Sequence, residues 1–339
     1  MPEHAPKPKA KKPAHNKPKP QQPKPQQPKP RQPKPQQPRA PGPSAGMPKA
    51  EAKKAPRDLV DPGVTKDAAT KADQPYGYKK NDRGAQLYGP DGIKATDVKQ
   101  GAIGDCYLAA ALSAVAGTKP ETIRNAIKDN KDGTYTVRFF ELDWQGKKSA
   151  HSETVDADLA HSGDAPAYAK SAEMVDGKQW TELWPSIFEK AYAAWKGSYE
   201  AIGNGGISGD VLTALTGNPS QQTTTAGAGD ADPLWLKMKT ASQQGKPMTV
   251  GSGGKDDERY KDPKAGVYGW HAYSVMGVEE TKDGDKMKRS VTIRNPWGKR
   301  RRGADAAAVG DTENDTAQGV FKLDWAEFRR LYDNVTING

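Results

Sequence analysis

Long apolar runs are absent from this chain and cysteine is nearly so, and each absence excludes a class of protein. No stretch approaches the ~18 consecutive apolar residues of a transmembrane helix, so we predict no membrane-spanning segment. The N-terminus leads from Met1 into a Lys/Pro-rich stretch without an apolar core, so a cleavable secretory signal peptide is not expected. The single cysteine, Cys106, excludes an intramolecular disulfide. These absences predict a cytoplasmic protein, with export by a route that needs no cleavable signal as the alternative.

Tyrosine, tryptophan and phenylalanine are missing from residues 1–60, which hold 17 of the 28 prolines. A five-residue unit, Gln-Gln-Pro-Lys-Pro at 21–25, repeats at 26–30 and recurs with changes over 31–40. Such a segment cannot bury enough apolar surface to offset its ordering entropy, so we predict a disordered, extended tail. Three functions stay open for it: a spacer, a ligand for a Pro-binding partner module, or an arm for an acidic surface.

The net charge of +10 belongs to this tail rather than to the rest of the chain. Residues 1–60 carry 15 basic and 3 acidic residues, which leaves 37 basic and 39 acidic residues in the remainder. The folded part is therefore nearly neutral and has no basic excess to attract nucleic acid. We expect no nucleic acid among the partners.

The composition becomes globular near residue 80, after a linker predicted at 61–79. Residue patterns predict helices at 106–116, 180–195 and 232–242, and strands at 134–142, 247–250, 271–279, 289–294 and 320–323. A glycine-rich break at 203–209 separates a helical lobe, 80–207, from a β-rich lobe, 208–339. The predicted fold class is α+β, with short strands that form an antiparallel sheet.

A candidate nucleophile stands in the segment Gln100-Gly101-Ala102-Ile103-Gly104-Asp105-Cys106. Asp105 occupies the N-cap position and Cys106 opens a predicted helix, where unpaired N–H groups and the helix dipole lower the pKa of a thiol. The two glycines let the backbone approach a substrate carbonyl, so the Cys106 N–H and the Gln100 amide can both donate to an oxyanion. The alternative is a buried cysteine without a chemical role.

His271 is the candidate base for that nucleophile, because it opens a predicted strand directly after a glycine turn. The other histidines, in the tail or in a polar stretch, are His4, His15, His151 and His161. Asn295 ends the next predicted strand, and its side-chain oxygen can accept from one imidazole nitrogen while the other faces Cys106. We expect thiolate and imidazolium as the resting pair. Trp297 is predicted to cover the His–Asn hydrogen bond.

Four segments, in order along the chain, resemble the signature segments of the calpain family of papain-like cysteine proteases: 100–108, 195–206, 269–275 and 294–298. Two more, 188–201 and 319–328, are similar to other parts of the calpain protease core. The resemblance covers residues 80–339, the protease core only, and indicates a bacterial-type calpain-like protein. It implies a papain-like fold of two lobes with a cleft between them.

The resemblance implies an endopeptidase that hydrolyses protein substrates by a Cys-His-Asn mechanism. Cys106 is then the nucleophile, His271 the base and acid, Asn295 the residue that orients the base, and Gln100 an oxyanion donor. Tyr107 stands where the family usually has tryptophan.

Calcium control is also implied by the resemblance. Asp97 and the Gly92 carbonyl match ligands of the first calcium site of the calpain core, and Glu173 matches a second carboxylate. Such oxygen ligands suit Ca²⁺, and the alternative is a set of surface groups without an ion. The family's second site takes carboxylates after Asn-Pro-Trp-Gly, where this chain has four cations at 299–302. We therefore predict at most one bound Ca²⁺.

Three other functions stay open. The first is a catalytically silent calpain-like binding module, the second is a scaffold that acts through its Pro-rich tail, and the third is an acyl transferase that acts on glutamine. The complete set of Cys106, His271, Asn295 and Gln100 disfavours the silent module. Asparagine rather than aspartate at 295 disfavours the acyl transferase.

Overall fold

The structure is a computed structural model that describes residues 57–66, 76–80, 85–171, 173–175, 178–226, 233–262, 266–299 and 318–339. Ala52–Gly339 forms one compact unit. Of the predicted tail, only residues 57–60 are described, so its disorder and the predicted domain bounds stay predictions. Among the described residues, none of the helices is both long and apolar enough to cross a membrane.

Seven helices lie within the described residues. They are α1 Cys106–Thr118, α2 Pro120–Ala126, α3 Trp184–Lys196, α4 Tyr199–Ile202, α5 Ser208–Thr216, α6 Pro233–Gln243 and α7 Trp325–Leu331, with 3₁₀ turns at Ala95–Asp97 and Glu258–Tyr260. The helices α1, α3 and α6 confirm the three predicted from residue patterns. Two glycines show why their bounds differ: Gly197 ends α3 in the left-handed conformation, at φ +103°, whereas α1 runs through Gly117 to Thr118.

The strands form four antiparallel sheets in the described part of the chain. They are β1 Gly77–Lys79, β2 Ile127–Asp129, β3 Thr134–Leu142, β4 Lys148–Asp156, β5 Leu159–Ser162, β6 Ala165–Pro166, β7 Glu173–Val175, β8 Lys178–Trp180, β9 Ser220–Thr224, β10 Met248–Ser252, β11 Ala272–Asp283, β12 Lys286–Arg294, β13 Val320–Asp324 and β14 Tyr332–Asn338. The largest sheet has the order β13-β12-β11-β10-β14-β9, and the others are β2-β3-β4, β1-β5-β6 and β7-β8. The α+β prediction with an antiparallel sheet in the second half is confirmed.

The hairpin of β11 and β12 decides where two predicted site residues lie. Its register places Ser274 opposite Arg294. His271 directly precedes β11 and Asn295 directly follows β12, so the hairpin brings both residues to the same end of the sheet. Their proximity therefore follows from antiparallel pairing and not from their spacing along the chain.

Two hydrophobic clusters hold the described part together. The first packs α1, α3 and α5 against β3 and includes Leu112, Phe139 and Trp184. The second packs α6 and α7 against the six-stranded sheet and includes Trp235 and Phe328. Helix α5, which follows the predicted lobe boundary, places its buried residues in the first cluster.

A buried polar seam joins the two clusters. The Arg294 guanidinium is fully buried and donates to Ser113 Oγ at 3.0 Å, to the Thr96 carbonyl at 3.2 Å and to the Val98 carbonyl at 2.8 Å. Ser274 Oγ donates to the Ala110 carbonyl at 2.8 Å. The end of β12 is thereby fixed against α1, the helix that begins with Cys106.

Residues 57–66 form a strap across the helical part. Asp61 contacts the buried ammonium of Lys190 at 2.5 Å. The Leu59 N–H donates to Asp156 Oδ2 at 2.7 Å, and the Tyr199 N–H donates to the Gly63 carbonyl at 2.9 Å. The strap is therefore part of the folded unit, although the sequence placed it in the tail and the linker.

Candidate active site

A cleft of about 740 Å³ lies between the helical part and the six-stranded sheet. Gln100, Cys106 and Tyr107 line its helical side, and His271 and Trp297 line its sheet side. The backbone of 203–206, which includes three glycines, forms a further stretch of wall. The structure thus brings the predicted nucleophile, base and oxyanion donor into one cavity.

Cys106 is the first residue of α1 and is half-buried in this cleft. Burial raises the pKa of its thiol. The backbone N–H of Ala272 has the opposite, smaller effect, because it stabilises the thiolate. Asp105 occupies the N-cap position, but its side chain makes no capping hydrogen bond. The predicted lowering of the Cys106 pKa is therefore wrong, because desolvation outweighs the donors at the start of the helix.

His271 forms the predicted hydrogen bond with Asn295. Nε2 lies 2.9 Å from Asn295 Oδ1, which also accepts from the Trp297 N–H at 3.1 Å. The Trp297 N–H can only donate, so it requires the amide oxygen at this position and fixes the orientation of the amide. A carbonyl oxygen only accepts, so Nε2 carries the hydrogen and Nδ1 is left as the basic nitrogen.

Aromatic rings enclose the imidazole of His271. Trp297 lies with its ring centroid 4.5 Å away, Tyr273 at 4.8 Å and Tyr268 at 6.3 Å. Burial lowers the pKa of His271 to about 4, although the hydrogen bond that the ring donates to Asn295 opposes the shift. Burial thus disfavours the charged form of each group taken by itself, which opposes the thiolate–imidazolium pair expected from the sequence.

Ser252 is a site residue that sequence reasoning missed. Its hydroxyl accepts from the His271 N–H and donates to the His271 carbonyl, both at 3.0 Å, while the Ser252 N–H donates to the same carbonyl. These bonds fix the backbone that carries the imidazole. In the sequence, Ser252 is visible only as a serine between two glycines at the end of a predicted strand. That pattern does not identify His271 as its partner.

Gln100 lines the same cleft as Cys106 and is tied to the segment that follows Asn295. Its N–H donates to the Pro296 carbonyl at 2.9 Å, and its side-chain Nε2 donates to the Ile103 carbonyl at 2.7 Å. One hydrogen of the amide is therefore used to hold the loop. The second hydrogen is the one that can serve an oxyanion.

Trp270 stands exposed at the rim of the cleft, next to His271 in sequence. Its side chain is 75% exposed, and its backbone has φ +54°, a conformation that side chains other than glycine rarely adopt. The Trp270 N–H is held by the Gly253 carbonyl at 2.6 Å. An exposed indole in such a conformation gives the cleft an apolar rim.

The predicted cation ligands are not among the residues that line the cleft. Asp97 is buried and accepts from the Lys94 N–H at 2.6 Å. The indole N–H of Trp184 donates to Asp97 Oδ2 at 3.2 Å and to Glu182 Oε2 at 3.0 Å, so Glu182 is the carboxylate that lies beside Asp97. The side chain of Glu173 lies outside the described residues, as do residues 300–302 of the cation run.

Glycines shape the surroundings of these two carboxylates. A Cβ added at Gly89 would lie 2.0 Å from Glu182 Oε1, and Gly92 has φ +79°. Two buried carboxylates beside a glycine-rich turn form an oxygen donor set of the kind that Ca²⁺ prefers. Sequence reasoning missed Glu182 because a lone carboxylate in the first turn of a predicted helix is an ordinary feature of a helix start.

Comparison with known proteins gives consistent similarities. A family model described as calpain family cysteine protease matches residues 78–338. The calpain-type cysteine protease ADL1 of Oryza sativa subsp. japonica is 34% identical over 219 residues, which cover 60% of this chain and 9% of that protein. The calpain-type cysteine protease DEK1 of Zea mays is 33% identical over 219 residues, which again cover 60% of this chain and 9% of that protein. Calpain-9 of Homo sapiens is 29% identical over 210 residues, 61% of this chain and 29% of calpain-9. The chain therefore spans less than a third of the length of each of these relatives.

Proposed function

The chain belongs to the calpain family of cysteine proteases, and from this premise we propose that it hydrolyses peptide bonds in protein substrates. The observation that carries the proposal is the hydrogen bond between His271 and Asn295, which leaves a basic Nδ1 in the cleft that Cys106 also lines. Cys106 is the proposed nucleophile, His271 the base and acid, and Asn295 the orienting residue. Gln100 is the proposed oxyanion donor.

The first half of the reaction uses the neutral pair. Nδ1 of His271 takes the thiol proton as Cys106 Sγ attacks the peptide carbonyl. The oxyanion accepts from the Cys106 N–H, which has no partner inside the first turn of α1, and from the second amide hydrogen of Gln100. The imidazolium then protonates the leaving amine. The Oδ1 atom of Asn295 stabilises the charge on the ring during this step.

The second half returns the enzyme to its starting state. His271, neutral again, removes a proton from water as it attacks the acyl group on Cys106. The thiol leaves and recovers its proton from the imidazolium. Trp297 and Tyr273 limit the access of bulk water to the imidazole, which strengthens the bond to Asn295.

We also propose that the chain binds one Ca²⁺. Asp97, Glu182 and the Gly92 carbonyl would hold it, because both carboxylates accept from the Trp184 indole and Glu182 lies against Gly89, in the same turn as Gly92. The ion would supply positive charge to two buried carboxylates and order the turn before Gln100. A cytoplasmic location and a partner for the Pro-rich tail stay predictions from the sequence.

The first test is cleavage of unfolded casein by the full chain, with Ca²⁺ or with EGTA, beside Cys106→Ala. We expect fragments from the wild type in Ca²⁺ and none from Cys106→Ala. Absence of cleavage by a folded wild type in both buffers contradicts the protease proposal and favours the silent binding module.

The calcium proposal has its own readout in the fluorescence of Trp184, which contacts both carboxylates. We expect Ca²⁺ to change the emission of the wild type, and Asp97→Asn or Glu182→Gln to abolish the change. Asp164→Asn, at an exposed carboxylate outside this turn, is the matched control. An equal response from all four proteins contradicts this site.

A further inference from the structure

The active-site cleft offers no counter-charge to a charged substrate side chain. Among the described residues that line it, aspartate, glutamate, lysine and arginine are absent. A charged side chain that entered the cleft would lose its hydration without gaining an ionic partner. The cleft therefore favours an uncharged stretch of polypeptide.

The sheet side of the cleft is polar without being charged. Thr249 of β10, Thr336 of β14 and Gln222 of β9 form one row across the large sheet, since Thr336 pairs with each of the other two. Asn334 lies two residues before Thr336, and so on the same face of β14. Hydroxyl and amide groups of this kind can bond to the backbone of a peptide whatever its sequence. Selection among sequences needs another feature of the cleft.

Two large apolar side chains provide that feature. In the described part of the chain, two of the exposed large apolar residues, Ile207 and Trp270, line the cleft. Ile207 is 58% exposed and Trp270 is 75% exposed. Most of their apolar surface is left unburied by the fold, so it contributes little to stability and stays available to a ligand.

The backbone of Trp270 is strained for a residue that carries a side chain. Its φ of +54° lies in the left-handed region, which glycine adopts freely and tryptophan does not. Close packing imposes this conformation: the Gly253 carbonyl accepts from the Trp270 N–H, and a Cβ added at Gly269 would lie 2.7 Å from the Gly254 carbonyl oxygen. A glycine at 270 would relieve the strain with little loss of packing. An exposed indole that is kept in such a conformation, directly before His271, points to a role in binding.

Ile207 is tied to the nucleophile's side of the cleft. It follows the glycine-rich wall at 203–206. The N–H of Gly104 donates to one glycine of this wall and the Gly104 carbonyl accepts from another, both at 2.9 Å, two residues before Cys106. The two apolar side chains therefore belong to segments attached to the base and to the nucleophile, and a substrate side chain that contacts them lies close to the bond under attack.

We propose that Trp270 determines the specificity of the protease: its indole, together with Ile207, binds a large apolar or aromatic side chain of the substrate beside the scissile bond. Cleavage then falls within uncharged, apolar segments of unfolded proteins. An aromatic substrate side chain suits this position because it can stack on the indole as well as bury apolar area. The inference rests on the proposed function and names the substrate class of the same cleft.

The test compares the full-length wild type with Trp270→Gly, and uses Trp144→Gly as the matched control. Trp144 is 90% exposed in the turn between β3 and β4 and is not among the residues that line the cleft. Trp270→Phe keeps a ring at the position and is the rescue variant. The thermal midpoint of Trp270→Gly should stay close to that of the wild type, because relief of the positive φ offsets the greater freedom of glycine in the unfolded chain.

Cleavage is measured with quenched fluorescent peptides that carry Phe, Ala or Lys at each position near one scissile bond in turn. We expect the wild type, Trp144→Gly and Trp270→Phe to prefer Phe to Ala at one position and to disfavour Lys there. Trp270→Gly should lose about 10-fold in kcat/KM for the Phe peptide, mainly through KM, with little change for the Ala peptide.

Two outcomes of this measurement would overturn the proposal. One is the same preference in the wild type and Trp270→Gly. The other is an equal fall in kcat for all peptides, which would assign the indole to shielding of His271. Ile207→Ser is a second variant of the same contact, and it should weaken the preference for Phe in the same direction if Trp270→Gly does not fold. An unchanged preference in Ile207→Ser would then overturn the proposal.

A binding measurement separates this inference from the proposed function. Cys106→Ala is titrated into dye-labelled versions of the same peptides, and fluorescence anisotropy reports binding without proteolysis. We expect about 10-fold tighter binding of the Phe peptide than of the Ala peptide, and loss of this difference when Trp270→Gly is added to Cys106→Ala. If the difference is present but the wild type cleaves nothing, the proposed function is overturned and recognition by Trp270 stands. Equal binding of the two peptides to Cys106→Ala would overturn the inference.

Discussion

Enclosure by aromatic rings determines the chemistry of the imidazole of His271. Trp297, Tyr273 and Tyr268 surround the ring, and Asn295 provides its side-chain hydrogen bond. Water is therefore largely excluded, and the charged form of the ring is disfavoured. The base is held neutral and in one tautomer, which suits a mechanism in which charge appears only when the thiol attacks.

The pH dependence of stability tests this enclosure. The pKa of His271 is lowered to about 4, below its ordinary 6.5, so the unfolded state binds more protons between these values. Stability contributed by the neutral ring is complete above pH 6.5 and is lost as the pH falls towards 4, by at most about 3 kcal/mol. We expect urea unfolding at pH 7 and pH 5 to show this loss in the wild type and a smaller one in His271→Gln. Equal losses in the two proteins would contradict the buried neutral ring.

Removal of the orienting amide is a second test at the residue scale. Asn295→Ala removes the acceptor that fixes the His271 tautomer, so we expect kcat for peptide cleavage to fall about 10- to 100-fold, with a smaller change in KM. Steady-state kinetics with a fluorogenic peptide would measure both. Asn130→Ala, in a turn outside the cleft, is the control. A change confined to KM would instead assign Asn295 to substrate binding.

At the scale of elements, the junction of β12 with α1 determines the relation between the two walls of the cleft. Arg294 donates to α1 through Ser113 and to the carbonyls of Thr96 and Val98, which flank Asp97. The residue after Arg294 is Asn295. One buried guanidinium therefore links the strand that carries the orienting residue, the helix that carries the nucleophile and the turn of the proposed calcium site.

Arg294→Met tests this junction. The substitution leaves two buried carbonyls and the Ser113 hydroxyl without their donor, so we expect a loss of about 3 kcal/mol in the free energy of unfolding. Urea denaturation would measure it. Arg138→Met, at an exposed position of β3, should stay within about 0.5 kcal/mol of the wild type. A similarly small change for Arg294→Met would show that the seam contributes little.

At the scale of the whole molecule, the strap of residues 57–66 extends the folded unit beyond the matched family segment, which begins at residue 78. Lys190 is 1% exposed and is neutralised in part by Asp61 from the strap. Tyr78 donates to the Pro62 carbonyl at 2.7 Å, which ties the strap to β1. The strap therefore has an energetic role that its Pro-rich neighbourhood does not indicate.

Two truncations separate the strap from the rest of the N-terminal region. Deletion of residues 1–56 should leave the thermal midpoint and the casein cleavage unchanged, because it removes none of these contacts. Deletion of residues 1–66 exposes the Lys190 site and removes Asp61, so we expect about 3 kcal/mol less stability. Thermal unfolding of both proteins would measure the difference. Equal midpoints would mean that the strap does not contribute to the fold.

Features that depend on neighbouring residues could be predicted from the amino-acid sequence. Apolar spacing and turn residues placed α1, α3, α6 and four of the six strands of the large sheet, β10 to β13, within a few residues, whereas β9 and β14 were not predicted. Cys106 was predicted at a helix start from local signals alone. His271 and Asn295 could be named because each stands at the end of a predicted strand, where a side chain reaches a cleft.

Only the tertiary structure decided the features that depend on distant parts of the chain. Glu182 meets Asp97 and Ser252 fixes His271 through packing that no local pattern records. The direction of the pKa shift at Cys106 was predicted wrongly from the sequence for the same reason. A helix start lowers the pKa of a thiol through adjacent groups, but the burial that outweighs it exists only once the lobes have packed together.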